Sequence, residues 1–424
     1  MRLVVATPYP EGSILAIARS AADRGSLAAL YTSGHASLTA RRLPDRVSGA
    51  FGLGRYLGRH ELPGIPPGLV EDRADGPEFA RAVIAHIPGL EGLASRTAYA
   101  AKMAFDRDVA RDLPPADAVL AIYGSAALTL RAASAMGSLA VLNFVASHPA
   151  EHNRFLHELT DLDVPGHEFV PERVAKRIEQ ELSIADLVLV PSRFVANQLL
   201  ERGLPESRLA VIPYGVDLGA FSPHTDRPPN ARVRCVYVGQ ISHRKGIPVL
   251  FRAARELPDI DFVLTGPVVT PSLLRELPPN VRWMGSLPHA DVAALMREAD
   301  IFVLPSLEDS YGLVVSEAMA SGLPVVVTDH VGASEIVEPG VTGFVVPAGD
   351  HTPLAAALRC LTDDSDLRSR MGRNARDRVS ASHSWAQYGS DAMAAIENAM
   401  QGRVGRFSGG ATPGMTTSGA TFPK

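Results

Sequence analysis

Asp309 and Glu317 stand eight positions apart in the run LPSLEDSYGLVVSEAMASGLPVVVTD at 304–329. The pattern predicts an apolar strand over 301–304, then a polar loop through Asp309, Ser310, Tyr311 and Gly312. A helix over 313–320 follows, Gly322 ends it, and 325–327 form the next buried strand. The free N–H groups at the start of that helix, around Leu313 and Val314, lie at its positive dipole end and make a ready anion site. One acid reaches the front of a bound anion and the other reaches behind it, with Glu308 next to the first. A nucleotide sugar suits that layout: sugar in front, diphosphate on the helix end, ribose behind.

A second set of candidates follows the strand predicted over 233–238. Gly239 ends the strand, and Arg244 and Lys245 open the next helix, which runs to about 257. Lysine is scarce, occurring only at Lys102, Lys176, Lys245 and Lys424. Two cations at the carboxyl edge of a parallel sheet sit where open α/β folds bind ligands. A cation about 4 Å from a phosphate oxygen is worth about 4 kcal/mol before desolvation at an effective dielectric of 20. The pair could stabilise a departing diphosphate; alone, an Arg-Lys pair is more often solvated surface.

A third candidate is Ser147-His148-Pro149-Ala150-Glu151-His152, which matches the zinc-protease pattern H-x-x-E-H. A zinc site of that type needs both histidines on one helix and a third ligand downstream. Pro149 instead places His148 just before a helix, in a strand-to-helix loop. A cleft role for His148 and a structural one are the two readings that remain. Asp161/Asp163 and Asp259/Asp261 form D-x-D patterns, the first pair in a polar loop and the second ahead of its strand. Both read as structural, and no metal is expected.

The elements that must position these residues begin with a βαβ unit: strand 3–6, a helix with Ile14, Leu15, Ile17 and Ala18 on one face, and strand 27–31. A parallel sheet follows from that order. No G-x-G-x-x-G follows the first strand, so a nicotinamide-binding half is not supported. Further strands are expected at 117–123, 139–144 and 187–190, with Ser192 as the N-cap of a helix ended by Gly203. The second half repeats the scheme with strands at 261–265 and 281–284 and helices at 289–297, 353–361, 366–379 and 384–400. Beyond Gly402 the chain is rich in Gly, Ser and Thr and is expected to be disordered.

The 304–329 run resembles the Glu, seven residues, Glu signature of the family 4 glycosyltransferases, with Asp309 in place of the first Glu. VIPYGVD at 211–217 is similar to the family's interdomain crossing, with Tyr214 where Asn is usual. The family's V-G-R has Gln240 as its last residue here. The resemblance covers 182–400 well and the first domain in outline. It implies a GT-B fold: two Rossmann-like α/β domains at 1–213 and 214–383 facing across a cleft, a helix at 384–402 crossing back to the first domain, and a tail from 403. It also implies retaining transfer of a hexose-type sugar from a nucleotide sugar to a carbohydrate or lipid-linked acceptor, without metal or other cofactor. Gly12 and Gly239 would border the donor, Glu317 would hold the ribose, and the 311–314 amides with Arg244 and Lys245 would hold the phosphates. Asp309 would contact the donor sugar, with Glu308 as its substitute, and His148 would lie on the reacting face. A nucleotide-sugar-binding subunit with weakened catalysis and a GT-B epimerase or phosphorylase are the competing readings.

Composition narrows the partners. With 46% hydrophobic and 21% charged residues the 424-residue chain reads as globular, and its net charge of −5 argues against nucleic acid. Cys235 and Cys360 read as buried free thiols in a reducing compartment. No run approaches the roughly 18 apolar residues of a membrane span, and Pro8 breaks the N-terminus too early for a signal peptide. A cytoplasmic protein is expected. Arg41, Arg42, Arg46, Arg55 and Arg59, interleaved with apolar residues, read either as a weak contact with the inner membrane face or as solvated arginines.

Overall fold

The computed structural model describes residues 1–10, 12–33, 62–85, 91–158, 164–224 and 232–408. The arginine-rich stretch at 41–59, the Asp161/Asp163 pair and the end of the chain from 409 lie outside the described residues. Short apolar runs such as LVVA at 3–6 are wholly buried, as strands of a parallel sheet covered on both faces must be.

The first domain contains β1 (Leu3–Ala6), α1 (Gly12–Asp23), β2 (Leu27–Thr32), β3 (Val70–Asp72), α2 (Asp75–Ala85), α3 (Glu91–Arg111), β4 (Ala118–Ile122), α4 (Ala127–Ala135) and β5 (Leu139–Asn143). It continues with α5 (Pro149–Glu158), α6 (Glu172–Ile184), β6 (Leu187–Val190), α7 (Arg193–Glu201) and β7 (Leu209–Val211). Its sheet has the order β3-β2-β1-β4-β5-β6-β7, and the pairings among these strands are parallel. Two apolar cores flank it: Phe105, Leu130 and Leu199 on one face, and Ile14, Ile17 and Ile396 on the other.

The second domain holds β8 (Arg234–Val238), α8 (Ile247–Glu256), β9 (Asp261–Thr265), β10 (Val281–Trp283), α9 (His289–Arg297), β11 (Ile301–Leu304), α10 (Leu313–Ala320), β12 (Val325–Thr328) and β13 (Gly343–Val346). Helices α11 (His351–Asp363), α12 (Ser365–Ser382) and α13 (Trp385–Ser408) close the chain. The six-stranded sheet runs β10-β9-β8-β11-β12-β13. Here α13 returns to the first domain, where Tyr388, Ala392, Met393 and Ile396 join the α1 core. Gly389 permits the close approach, since a Cβ there would lie 2.6 Å from the Ala16 carbonyl oxygen.

Two expectations change. Cys235 is buried but Cys360 is exposed, because it falls off the α11 face that buries Leu354, Ala357, Leu358 and Leu361. Helix α13 continues to Ser408 rather than stopping at 402, since Gly402 and Gly405 each cost an established helix only about 1 kcal/mol. Among the described residues, no helix is long and apolar enough to cross a membrane.

Candidate active site

The carboxyl ends of the second sheet form one wall of a cavity of about 510 Å³. Its lining includes Gly239, Arg244, Lys245, Asp309 and the 310–314 backbone, with Tyr214 from the interdomain crossing. The start of α10 fixes that wall. Gly312 is the N-cap residue with φ 82°, and a Cβ there would crowd Val331 at 2.8 Å and Leu304 at 3.1 Å. Only glycine meets both the left-handed backbone and the lack of space.

The 305–312 loop is pinned from behind. The Asp309 amide donates to the His330 carbonyl at 2.9 Å, and Gly332 N–H donates to the Asp309 carbonyl at 2.9 Å. Asp309 points into the cavity and pairs with the Lys245 ammonium. Burial pushes the Lys245 pKa down, and the Asp309 carboxylate offsets only part of that. Arg244 turns to Gln240, donating to its Oε1 at 3.2 Å, and to the Glu308 carbonyl at 3.1 Å.

Glu308 departs from the donor-contact role expected of it. Its carboxylate faces the first domain, where Ser147 Oγ donates to it at 2.5 Å and His152 Nδ1 lies at 2.8 Å. Burial disfavours its charge, but the bonds from His152 and Ser147 and the Arg244 charge prevail, bringing its pKa to about 2. His148 is likewise corrected. Its Nδ1 accepts from the Ala150 amide at 3.2 Å, capping the start of α5, and its Nε2 turns away toward Glu179 Oε1 at 2.9 Å. Pro149 starts the helix as expected, and this is what sends His148 behind the loop while His152, one turn in, reaches the cleft. The two imidazoles face different carboxylates and Glu151 binds Arg154 and Arg202, so the H-x-x-E-H residues do not converge as a chelate.

Glu317 lies outside the cavity lining, buried, with His289 Nε2 at 2.9 Å from its Oε1. Burial raises its pKa and His289 opposes the rise. Ser310 lines the cavity, but its hydroxyl donates to the Val145 carbonyl at 2.9 Å, across the domain junction. Gly12 opens α1 with φ 55° and open space where a Cβ would stand. It precedes Ser13, which hydrogen-bonds Tyr214 on the cavity wall.

Another cross-domain contact carries no sequence motif. Glu168, from the stretch between α5 and α6, places its carboxylate against the loop that bears Arg244 and Lys245. Its oxygens accept from the amides of His243 (3.0 Å) and Arg244 (2.9 Å) and from Thr270 Oγ1 (2.6 Å). Burial opposes the charge, yet His243, Thr270 and the two amides lower the Glu168 pKa to about 2.

Two parallel α/β domains joined at a cleft define the GT-B class of fold. Solved structures agree. A sucrose-phosphate synthase from Thermosynechococcus elongatus superposes over 96% of this chain and 100% of its own, with TM-score 0.58 and 20% identity. HepE from Anabaena, in a complex with UDP, does so over 94% and 100%, with TM-score 0.62 and 18% identity. The "Glycosyl transferases group 1" family model matches residues 226–378, and "Glycosyltransferase Family 4" matches 151–220. The chain belongs to the family 4 glycosyltransferases.

Among relatives in sequence, a D-inositol 3-phosphate glycosyltransferase of Corynebacterium kroppenstedtii is 34% identical over 51% of this chain and 54% of its own. A glycogen synthase of Mycobacterium tuberculosis is 31% identical over 45% and 48%. The chain thus spans about half the length of these relatives.

Proposed function

We propose that the protein transfers a hexose-type sugar from a nucleotide-sugar donor to a carbohydrate or lipid-linked acceptor, with retention of anomeric configuration and without a metal. The observation that carries the reading is the shared cavity: a cation, a carboxylate and the opening amides of α10 converge on about 510 Å³. The amides of Leu313 and Val314 and the side chains of Arg244 and Lys245 hold the diphosphate, while Asp309 meets a hydroxyl of the sugar. Glu317 takes the ribose hydroxyls once His289 yields its oxygen. Family membership supports retention, and the complexes of HepE with UDP and with UDP-glucose make uridine the first base to test.

The test is a thermal-shift panel of UDP-, GDP- and ADP-sugars, since a donor at 100 times its dissociation constant adds about 2.7 kcal/mol. Stabilisation by one base series, followed by transfer in the presence of EDTA with the donor's anomeric configuration kept, is the expected result. A panel without any response would refute the reading. A nucleotide-sugar-binding subunit with weak catalysis is the second reading, favoured by Lys245 being engaged by Asp309 and Glu317 by His289. Binding without turnover would select it, and nucleotide release without sugar transfer would select an epimerase instead. A cytoplasmic site of action, with the 41–59 arginines at the inner membrane face, belongs to the same proposal and is checked by cell fractionation and by sedimentation with anionic liposomes.

A further inference from the structure

The first sheet changes direction of strand order between β1 and β4. At such a point the loops leaving the two strands diverge to opposite faces, and the crevice between them is where open α/β sheets bind ligands. Tyr9 follows β1 here, and Tyr123 and Gly124 follow β4. Lys102, from α3, lies over that crevice: a Cβ added at Gly124 would stand 3.8 Å from its Nζ.

Lys102 is partly buried, yet among the described residues no acid is paired with its ammonium. The two acids near enough to influence it have other partners. Glu78 receives a fork of bonds from Arg81, the shortest 2.6 Å, and one from Tyr9 Oη at 3.1 Å. Glu181 accepts from the amides of Gly124 (2.5 Å) and Ala126 (2.8 Å) and pairs with Arg177 at 3.3 Å. Burial accordingly pushes the Lys102 pKa down, with those acids offsetting it only in part. An ammonium partly withdrawn from water and without an acid partner gains from an anion supplied from outside. Tyr123 links the crevice to the cleft. Its phenol, raised first by burial, is close enough to feel Glu308 and Arg244 on one side and Glu181 on the other.

We infer that this crevice receives an acceptor bearing an anionic group, phosphate or carboxylate, that pairs with Lys102. The inference rests on the transferase reading above and names the chemical class of its acceptor.

The chain's four lysines make a direct test practicable. Reductive methylation with ¹³C keeps their charge and gives few enough signals to assign with single Lys→Arg variants. The labelled protein is titrated with inorganic phosphate, glucose 6-phosphate, glucuronate and neutral methyl glucoside. The Lys102 signal should move saturably with at least one anion, at least about tenfold more tightly than that of exposed Lys176, and not with methyl glucoside. A response to both phosphates and not to glucuronate would assign phosphate, and the reverse would assign carboxylate. Silence of Lys102 toward all three anions, or a response matched by Lys176, overturns the inference. The Lys245 signal separates the two failures. If it responds to a nucleoside diphosphate while Lys102 ignores every anion, only the acceptor class is wrong. If it responds to none of UDP, GDP and ADP, the transferase reading itself fails.

Discussion

Glu168 offers the sharpest test of whether closure of the two domains organises the loop that bears Arg244 and Lys245. Its carboxylate belongs to the first domain and holds two amides and a hydroxyl of the second, His243 N, Arg244 N and Thr270 Oγ1. A pKa lowered from 4.5 to about 2 corresponds, at about 1.4 kcal/mol per unit, to about 3 kcal/mol favouring the charged, latched form. Glu168→Ala removes that preference and leaves the two amides unpaired, so the closed form should lose about 3 kcal/mol, or roughly a hundredfold in population. Glu168→Gln keeps the acceptor oxygen without the charge and should fall between. The donor dissociation constant should rise by one to two orders of magnitude as the Arg244-Lys245 loop loosens, and small-angle scattering should show a larger radius of gyration. Because the folded pKa is depressed, the latch is at full strength above about 4.5 and is lost as pH falls toward about 2. Wild-type protein should therefore open on acidification below about pH 4.5, and the alanine variant should show no further opening at Glu168's expense. Unchanged donor affinity and unchanged dimensions in Glu168→Ala would refute the reasoning.

Three other outcomes are expected. Lys245→Ala and Asp309→Ala should each lower turnover at least about 100-fold, the scale of lost charge stabilisation, and near wild-type rates in both would remove them from the site. Replacing Gly389 by Leu sets a side chain against the Ala16 carbonyl and Ser20 Cβ, and denaturant titration should show a loss of about 1–3 kcal/mol. A thiol reagent should label exposed Cys360 in the native protein and reach Cys235, whose thiol burial holds well above its usual pKa, only after unfolding.

The second domain was legible almost to the residue because its signals are local. Apolar runs bounded by Gly and Pro gave β9, α9 and α10 their observed limits. The first domain was read less fully. β3 has only three half-buried residues, and α3 alternates alanine with polar residues so evenly that its face is faint. The cross-domain contacts had no local signature. Ser147 and Glu308 are 161 positions apart, and Glu168 is 75 from His243, so each partner looks like an ordinary loop polar residue until the domains meet. The helical spacing of His148 and His152 was visible, but Pro149 alone could not say which imidazole would face the cleft.

Adjacent acids settle how the site divides its work. Asp309 bridges to Val331 in strand fashion, and in extended chain neighbouring side chains point to opposite sides. Glu308 therefore faces Ser147 and His152 in the first domain, while Asp309 faces Lys245 in the cavity. The two are not substitutes for one another. Asp309 is engaged by Lys245 within the cavity. Glu308 is held charged by a serine and a histidine of the other domain together with Arg244 of its own. Since Asp309 follows Glu308 directly, the contact that ties the two domains and the contact that orients Lys245 lie on one short loop.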